Sequence, residues 1–174
     1  MTDLDRLRSA IRDVPDFPRP GILFKDISPL LQDPRTLRLA CEHLAAPYRA
    51  LEISHVVGIE SRGFIFGPAV ALELGAGFSL ARKPGKLPWQ TQREVYELEY
   101  GTDAVEMHVD AVPEDARTLV VDDVIATGGT AAATAALIRR LGGRLVGCSF
   151  LIELGFLEGR KRLDGIRIES VLGY

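Results

Sequence analysis

The stretch LVVDDVIATGGTAA, residues 119–132, contains an apolar run, two adjacent carboxylates, a glycine pair and the start of an alanine-rich segment. The apolar run predicts a buried strand, and the alanines predict a helix that begins near Thr130. Gly128 and Gly129 allow successive backbone N–H groups to converge on one anion, and the helix adds its unsatisfied N–H groups and its positive dipole end. Because Thr127 and Thr130 also offer hydroxyl donors, the stretch predicts a phosphate-binding loop.

The ligand of this loop is predicted to be a sugar monophosphate that is held rather than transferred. The loop has no lysine, so it differs from the nucleoside-triphosphate loop, which ends in Gly-Lys-Ser/Thr. Asp122 and Asp123 precede the loop by about the length of a sugar, which suits the paired hydroxyls of a ribose. Taken singly, the glycine pair is typical of a turn and the aspartates of a helix cap, but the whole string is more specific.

Strands and helices alternate on both sides of this stretch, which predicts an α/β fold with a parallel sheet covered on both faces. The predicted strands comprise residues 55–59, 77–81, 117–121, 144–154 and 166–172. The predicted helices comprise residues 3–14 with Thr2 as a possible cap, a segment from Asp33-Pro34 to Pro47, an apolar stretch that ends at Leu74, and residues 130–141. Ligands of such sheets bind at the carboxyl ends of the strands, where the loops 60–63 and 122–130 are predicted to meet.

A different pattern occupies the segment between the second and third predicted strands. Residues 82–93 are polar and contain glycine and prolines, and alternating residues on either side of a turn at 101–103 predict a β-hairpin. Four cations lie on or beside the polar loop: Arg82, Lys83, Lys86 and Arg93. Such a run is typical of a solvated face, but it also suits a mobile loop that closes over a pyrophosphate and then releases it.

Composition limits the classes of protein to which the chain can belong. The 174 residues fit one domain, predicted to span residues 1–174, and carry a net charge of −3, which argues against a nucleic-acid-binding protein. The N-terminus has no apolar leader and no stretch approaches ~18 continuous apolar residues, so neither a membrane partner nor export is predicted. Cys41 and Cys148 are far apart in apolar surroundings, as expected of buried thiols in a cytoplasmic protein.

The quoted stretch resembles the phosphoribosyl pyrophosphate (PRPP) motif of the type I phosphoribosyltransferases. Four further segments resemble the adenine phosphoribosyltransferases of that family, in the same order and spacing: FPRPGILFKDISPLL (17–31), GIESRGFIFGPAVA (58–71), ARKPGKLP (81–88) and YELEYG (96–101). The resemblance covers nearly the whole chain. It implies the type I fold, in which helices flank a mainly parallel central sheet, with a small hood formed mainly by about residues 1–35 and a flexible β-hairpin loop.

The resemblance also implies a reaction and a role for each motif. Adenine and PRPP would be the substrates, and AMP and pyrophosphate would be the products. Mg²⁺ would be the cofactor, held by substrate oxygens and water rather than directly by side chains. The assembly would be a homodimer. The 5-phosphate would be held by Ala126, Thr127, Gly128, Gly129 and Thr130, and the ribose by Asp122 and Asp123. Pyrophosphate would be held by Ser61, Arg62, Arg82, Lys83 and Lys86, and adenine by Leu23, Phe24 and Lys25. Glu99 would be the catalytic carboxylate.

Residue patterns alone leave alternatives for two of these motifs. Gly58 lies three residues before Ser61 rather than two, so the segment is not a nucleophile elbow. Ser61 and Arg62 then form either a turn that binds pyrophosphate or a surface βα loop with an ordinary arginine. Glu99 lies on the same strand face as Glu97, so a solvated strand is the alternative to a catalytic carboxylate.

Two rival functions share the predicted fold. The first is a phosphoribosyltransferase for a 6-oxopurine. Enzymes of that kind resemble EDIIDTGKT at the PRPP motif, with an acidic residue where this chain has Ala126. The second is a non-catalytic regulator that senses PRPP, against which the chain length and the family context of Glu99 both argue.

Overall fold

Five parallel strands form the central sheet of the molecule. The structure is a computed structural model that describes residues 1–98 and 101–174. In chain order, the elements are α1 (Asp3–Ser9), β1 (Arg12–Pro15), β2 (Leu23–Asp26), α2 (Ser28–Gln32), α3 (Pro34–Ala45), β3 (His55–Ile59), α4 (Gly63–Leu74), β4 (Gly77–Ala81), β5 (Thr91–Glu97), β6 (Thr102–His108), β7 (Arg117–Ile125), α5 (Gly129–Arg140), β8 (Arg144–Glu153) and β9 (Ile168–Gly173). The strand order in the central sheet is β4-β3-β7-β8-β9. The predicted parallel α/β fold is therefore confirmed.

Both faces of the central sheet are buried, as its near-continuous apolar strands predict. Val57 and Val120 belong to the core on the α5 side of the sheet. Val56 and Leu119 belong to the core on the opposite side, beneath α3 and α4. Because β3 and β7 are adjacent and in register, with Val57 opposite Val120, their carboxyl ends and the segments that follow them lie side by side.

The N-terminal segment differs from the predicted helix over residues 3–14. Thr2 caps α1 as predicted, but the helix ends at Ser9, and residues 12–15 form β1, which pairs antiparallel with β2. Two causes act together: Pro15 disfavours the helical region for Val14, and pairing with β2 satisfies the backbone. The helical spacing of apolar residues was therefore misleading in its second half, although Leu7 is fully buried.

The third central strand is longer than predicted. The sequence predicts a strand that ends at Val121, but β7 continues to Ile125, and Asp122, Val124 and Ile125 pair with β8. The two aspartates therefore lie on the strand itself rather than in a loop over residues 122–130. Because side chains alternate along a strand, Asp122 and Asp123 point to opposite faces of the sheet.

The predicted β-hairpin is present as β5 and β6, which pair antiparallel with Tyr96 opposite Asp103. It forms a separate sheet that packs against α5, where the Arg140 guanidinium donates to the carbonyl of Arg93 and pairs with Glu94. The predicted turn at 101–103 is wrong in detail, because Thr102 and Asp103 belong to β6. Within the described ranges, no helix combines the length and the apolar character needed to cross a bilayer.

Candidate active site

A cavity of about 410 Å³ lies at the carboxyl ends of β3 and β7. It is lined by residues 22–25 of β2 and its approach, residues 60–62 after β3, residues 122–124 of β7, and by Ala126 and Leu154. The structure thus brings together the residues predicted to bind adenine, the Ser61-Arg62 turn, and the residues predicted to bind ribose. Their roles remain predictions, but their common location at the predicted edge of the sheet follows from the β3–β7 pairing.

Both adjacent aspartates line this cavity at the carboxyl end of β7, in an electrostatically unfavourable arrangement. Asp123 is buried, and its Oδ2 lies 2.8 Å from Arg62 Nε, an ion pair without the alignment of a hydrogen bond. The Asp123 N–H donates to Asp122 Oδ1 at 2.8 Å. Burial raises the pKa of Asp122 well above its usual range, and the neighbouring charge of Asp123 raises it further. Burial also raises the pKa of Asp123, and the Arg62 guanidinium opposes that shift.

Arg62 connects the three predicted subsites. Besides its ion pair with Asp123, its guanidinium carbon lies 5.4 Å from the centroid of the Phe24 ring, which is within the range of a cation–π contact. The turn that carries Arg62 packs closely against β7. A Cβ on Gly63 would lie only 2.7 Å from the Val121 carbonyl oxygen. The glycine after Arg62 therefore permits the close approach of α4 to β7 that places the guanidinium beside the aspartate.

The predicted phosphate-binding loop lines a smaller cavity of about 90 Å³ that also includes Asp122 and Val124. Gly128 has a φ of +79°, a conformation that side chains disfavour, and a Cβ there would overlap the carbonyl oxygen of Gly159. A Cβ on Gly159 would in turn overlap the Ala126 carbonyl oxygen. Gly159 was missed in the sequence because it lies 31 residues beyond Gly128 and carries no local phosphate motif.

The cations of the 82–93 segment lie outside the 410 Å³ cavity. The Arg82 guanidinium donates to both carboxylate oxygens of Glu60, at 3.0 and 3.1 Å, and to the Lys86 carbonyl at 2.9 Å. These donors from Arg82 hold the pKa of Glu60 below its usual range. The Lys83 ammonium is mostly exposed and lies 3.5 Å from Asp103, and Lys86 is exposed. Glu60, which the sequence analysis did not assign, thus links the loop to the Ser61-Arg62 turn.

The residues predicted to bind adenine form an apolar wall. Phe24 is half-buried and packs edge-to-face on Phe17, with ring centroids 5.1 Å apart, while Leu23 is half exposed. The Lys25 ammonium binds Asp13 at 2.6 Å and lies 4.2 Å from the centroid of the Tyr174 ring. The Lys25 ammonium is therefore bound by Asp13 and by the Tyr174 ring, so it does not point its charge into the apolar wall.

The predicted catalytic Glu99 lies outside the described residues. Its neighbour Glu97 is exposed, and the Glu97 carbonyl accepts a hydrogen bond from Arg162 at 2.9 Å. The described end of β5 is therefore tied to the short 3₁₀ segment that also contains Gly159, close to the phosphate-binding loop.

Comparisons with known proteins agree with this geometry. The family model described as the phosphoribosyl transferase domain matches residues 30–168. An adenine phosphoribosyltransferase of Anaeromyxobacter sp. (strain Fw109-5) is 56% identical over 98% of this chain and 97% of the relative. The crystal structure of the adenine phosphoribosyltransferase from Rhodothermus marinus matches with a TM-score of 0.94 and 58% identity, covering 99% of this chain and 98% of that one.

A second similar structure was determined with ligands. It is the adenine phosphoribosyltransferase of Saccharomyces cerevisiae complexed with adenine and an imino-altritol bisphosphate, with a TM-score of 0.92, 40% identity and 98% coverage of both chains. The chain belongs to the phosphoribosyltransferase family and, within it, to the adenine phosphoribosyltransferases.

The aspartate pair generates a prediction about stability. The pKa of Asp122 is raised in the folded protein above its ordinary value of 3.8. The contribution of Asp122 to folding stability is therefore most favourable below pH 3.8, and it is lost as the pH rises toward the folded-state pKa. Asp122→Asn should therefore stabilise the ligand-free protein at pH 7 by about 0.5–2 kcal/mol, with a smaller gain near pH 4. Urea unfolding at the two pH values measures both quantities.

Two variants control this measurement. Asp123→Asn should stabilise less, because Arg62 then loses its partner, and the exposed Asp110→Asn should change little. A loss of stability in Asp122→Asn at pH 7 would contradict the proposed electrostatic conflict.

Proposed function

We propose that this chain transfers the 5-phosphoribosyl group of PRPP to N9 of adenine, giving AMP and pyrophosphate, as a pentosyltransferase. The observation that carries the proposal is that the two cavities share a continuous surface. Asp122, Val124 and Ala126 line both the 410 Å³ cavity and the 90 Å³ cavity of the phosphate-binding loop. An apolar wall, a carboxylate pair and an anion cradle thus follow one another in the order base, ribose and 5-phosphate. The yeast relative was determined with adenine and a sugar-like bisphosphate, which are ligands of the same chemical kinds as the base and the phosphorylated sugar proposed here.

In this proposal the pyrophosphate leaves C1 of the ribose, and N9 of adenine attacks the oxocarbenium-like centre from the opposite face. The carboxylates of Asp122 and Asp123 accept hydrogen bonds from the ribose hydroxyls. These hydrogen bonds favour the charged forms of the two aspartates against the effect of burial. The backbone of residues 126–130 holds the 5-phosphate, and Leu23, Phe24 and the Lys25 backbone hold the purine. Glu99 assists proton movement on the purine as the base attacks.

The pyrophosphate is proposed to lie between the Ser61-Arg62 turn and the cations of the 82–93 loop. Lys83 and Lys86 are exposed, and Lys83 would exchange its ion pair with Asp103 for the pyrophosphate. Arg82 can take part only by exchanging Glu60 for the substrate, because its guanidinium is already engaged by Glu60 and by the Lys86 carbonyl. Closure of the loop would therefore involve a change of partner for Glu60, which precedes Ser61.

Three finer parts complete the proposal: Mg²⁺ as cofactor, a homodimer as the assembly, and a cytoplasmic location. The residues present fit Mg²⁺, because Asp122 and Asp123 place hard carboxylate oxygens at the ribose position and the buried Asp123 Oδ2 has no aligned hydrogen bond from the described chain. The ion, carried mainly by PRPP oxygens and water, supplies positive charge to the leaving pyrophosphate when bound. The side chains themselves bind and orient the sugar.

The base preference tests the proposed function. Adenine and hypoxanthine differ at C6, where one presents an amino donor and the other a carbonyl acceptor, and a mismatch leaves a buried polar group unpaired. Adenine should be used at least ~10³-fold better than hypoxanthine or guanine, somewhat below the largest known ratios because backbone contacts can adjust. The measurement is kcat/KM for each base at saturating PRPP and Mg²⁺. Comparable use of hypoxanthine would make the chain a 6-oxopurine enzyme, and PRPP binding without turnover of any base would indicate a regulator.

The role of Glu99 is tested against Glu97, the carboxylate two residues earlier in the sequence. Glu99→Ala should lower kcat by about 10²–10⁴-fold, the range for a positioned acid–base group, while PRPP affinity changes little. Glu97→Ala is the matched control, because Glu97 is exposed and its carbonyl, rather than its carboxylate, makes the contact with Arg162. Equal losses in the two variants would contradict a catalytic role specific to Glu99.

A further inference from the structure

The side chain of Tyr96 crosses from the hairpin to the phosphate-binding loop. Its hydroxyl lies 2.8 Å from Thr130 Oγ1 and 3.3 Å from Asp103 Oδ2. Thr130 lines the cavity of the phosphate-binding loop and also a second cavity of about 100 Å³, which it shares with Tyr96 and Asp103. One hydroxyl therefore connects strand β5, which leads to Glu99, with a residue of the proposed 5-phosphate site.

The position of this hydroxyl is determined by packing. A Cβ on Gly129 would lie 2.8 Å from Tyr96 Cδ2, so the ring reaches Thr130 only because residue 129 is a glycine. The neighbouring strand residue Glu97 is held through its carbonyl by Arg162. Gly129 thus has a second function besides its place in the anion-binding loop, which is to admit the tyrosine ring.

A count of protons shows why the connection depends on the ligand. Three oxygens in a row, on Asp103, Tyr96 and Thr130, share the two hydroxyl protons of Tyr96 and Thr130. Without an anion, Thr130 can donate to Tyr96 and Tyr96 to Asp103, which uses both protons. With a phosphate beside Thr130, the Thr130 hydroxyl donates to the phosphate, and its 2.8 Å contact with Tyr96 then persists only if Tyr96 donates to Thr130.

Asp103 can only accept in this row. Although burial acts to raise it, the pKa of the Asp103 carboxyl is lowered, because the carboxylate accepts from the Ala104 N–H at 2.8 Å and lies near the Lys83 ammonium. An ionised carboxylate has no proton to give to Tyr96. When Tyr96 donates to Thr130 instead, its hydrogen bond to Asp103 is weakened. Asp103 then retains Lys83 of the 82–93 loop as a partner.

We propose that Tyr96 is a positioning residue whose hydroxyl donates to Thr130 when the loop is occupied, so that the Thr130 proton points at the 5-phosphate. The inference rests on the proposed function, since the anion is the 5-phosphate of PRPP or AMP. The same reversal links occupancy of the loop to Asp103 on β6 of the hairpin and, through Asp103, to Lys83 of the 82–93 loop.

The test compares wild type with Tyr96→Phe, which keeps the ring on Gly129 and removes only the hydroxyl. Affinity for AMP, measured by calorimetry, should fall about three- to tenfold, as expected for loss of one hydrogen bond in an anion site. The KM for PRPP should rise by a similar factor, while kcat and the KM for adenine change less than about twofold. In a Thr130→Val background, Tyr96→Phe should cause no further loss, because the two hydroxyls act as one unit.

Tyr48→Phe is the matched control. It removes a tyrosine hydroxyl that donates to the Cys148 carbonyl at 2.8 Å in the core, away from the loop, and should leave AMP affinity unchanged. Unchanged AMP affinity in Tyr96→Phe, an equal further loss in the Thr130→Val background, or an equal loss in Tyr48→Phe would each overturn the inference. Failure of the wild type to bind AMP would overturn the proposed function, and the inference with it.

Discussion

The contact between Arg62 and the buried Asp123 is the interaction on which the rest of the site depends. Both faces of the central sheet are covered, so two successive aspartates on β7 lose water whichever face each one points to, and a buried carboxylate requires a partner. The parallel pairing of β3 with β7 delivers that partner, because the turn after β3 lies beside the aspartates. The close approach permitted by Gly63 completes the geometry, and the same guanidinium then packs on Phe24 of β2.

One arginine cannot fully satisfy two carboxylates, and this deficit has a functional meaning. Burial raises the pKa of both aspartates, and Asp122 suffers in addition from the charge of Asp123. Such a pair lowers the stability of the ligand-free protein at the position proposed to bind a ligand with hydroxyl donors. The predicted phosphate-binding loop shows a related constraint, since Gly128 and Gly159 allow two backbone segments to touch only because neither has a side chain.

Local patterns predicted the sheet and the loop because their signals are contained in consecutive residues. The strand His55–Ile59, the Asp33 cap of α3 and the glycine loop each depend on near neighbours, and each is present as predicted. The helix over 3–14 was wrong because pairing with residues 23–26, distant in sequence, outweighs a short apolar period. The Arg82–Glu60 pair and the approach of Gly159 to the loop also join distant segments, so no local spacing reveals them. The substrate assignments required the family resemblance, since an apolar wall alone does not specify a purine.

The central claim is that Asp122 and Asp123 are retained as a strained pair because they bind the hydroxyls of a ribose. Calorimetric titration with ribose 5-phosphate and with 2-deoxyribose 5-phosphate tests it most directly, because the two ligands share the phosphate and differ by one hydroxyl. Hydrogen bonds to charged groups contribute about 1.5–3 kcal/mol, so the ribose compound should bind roughly ten- to a hundredfold more tightly. Equal affinities for the two sugars would contradict the account, because the carboxylates would then hold no ribose hydroxyl at that position.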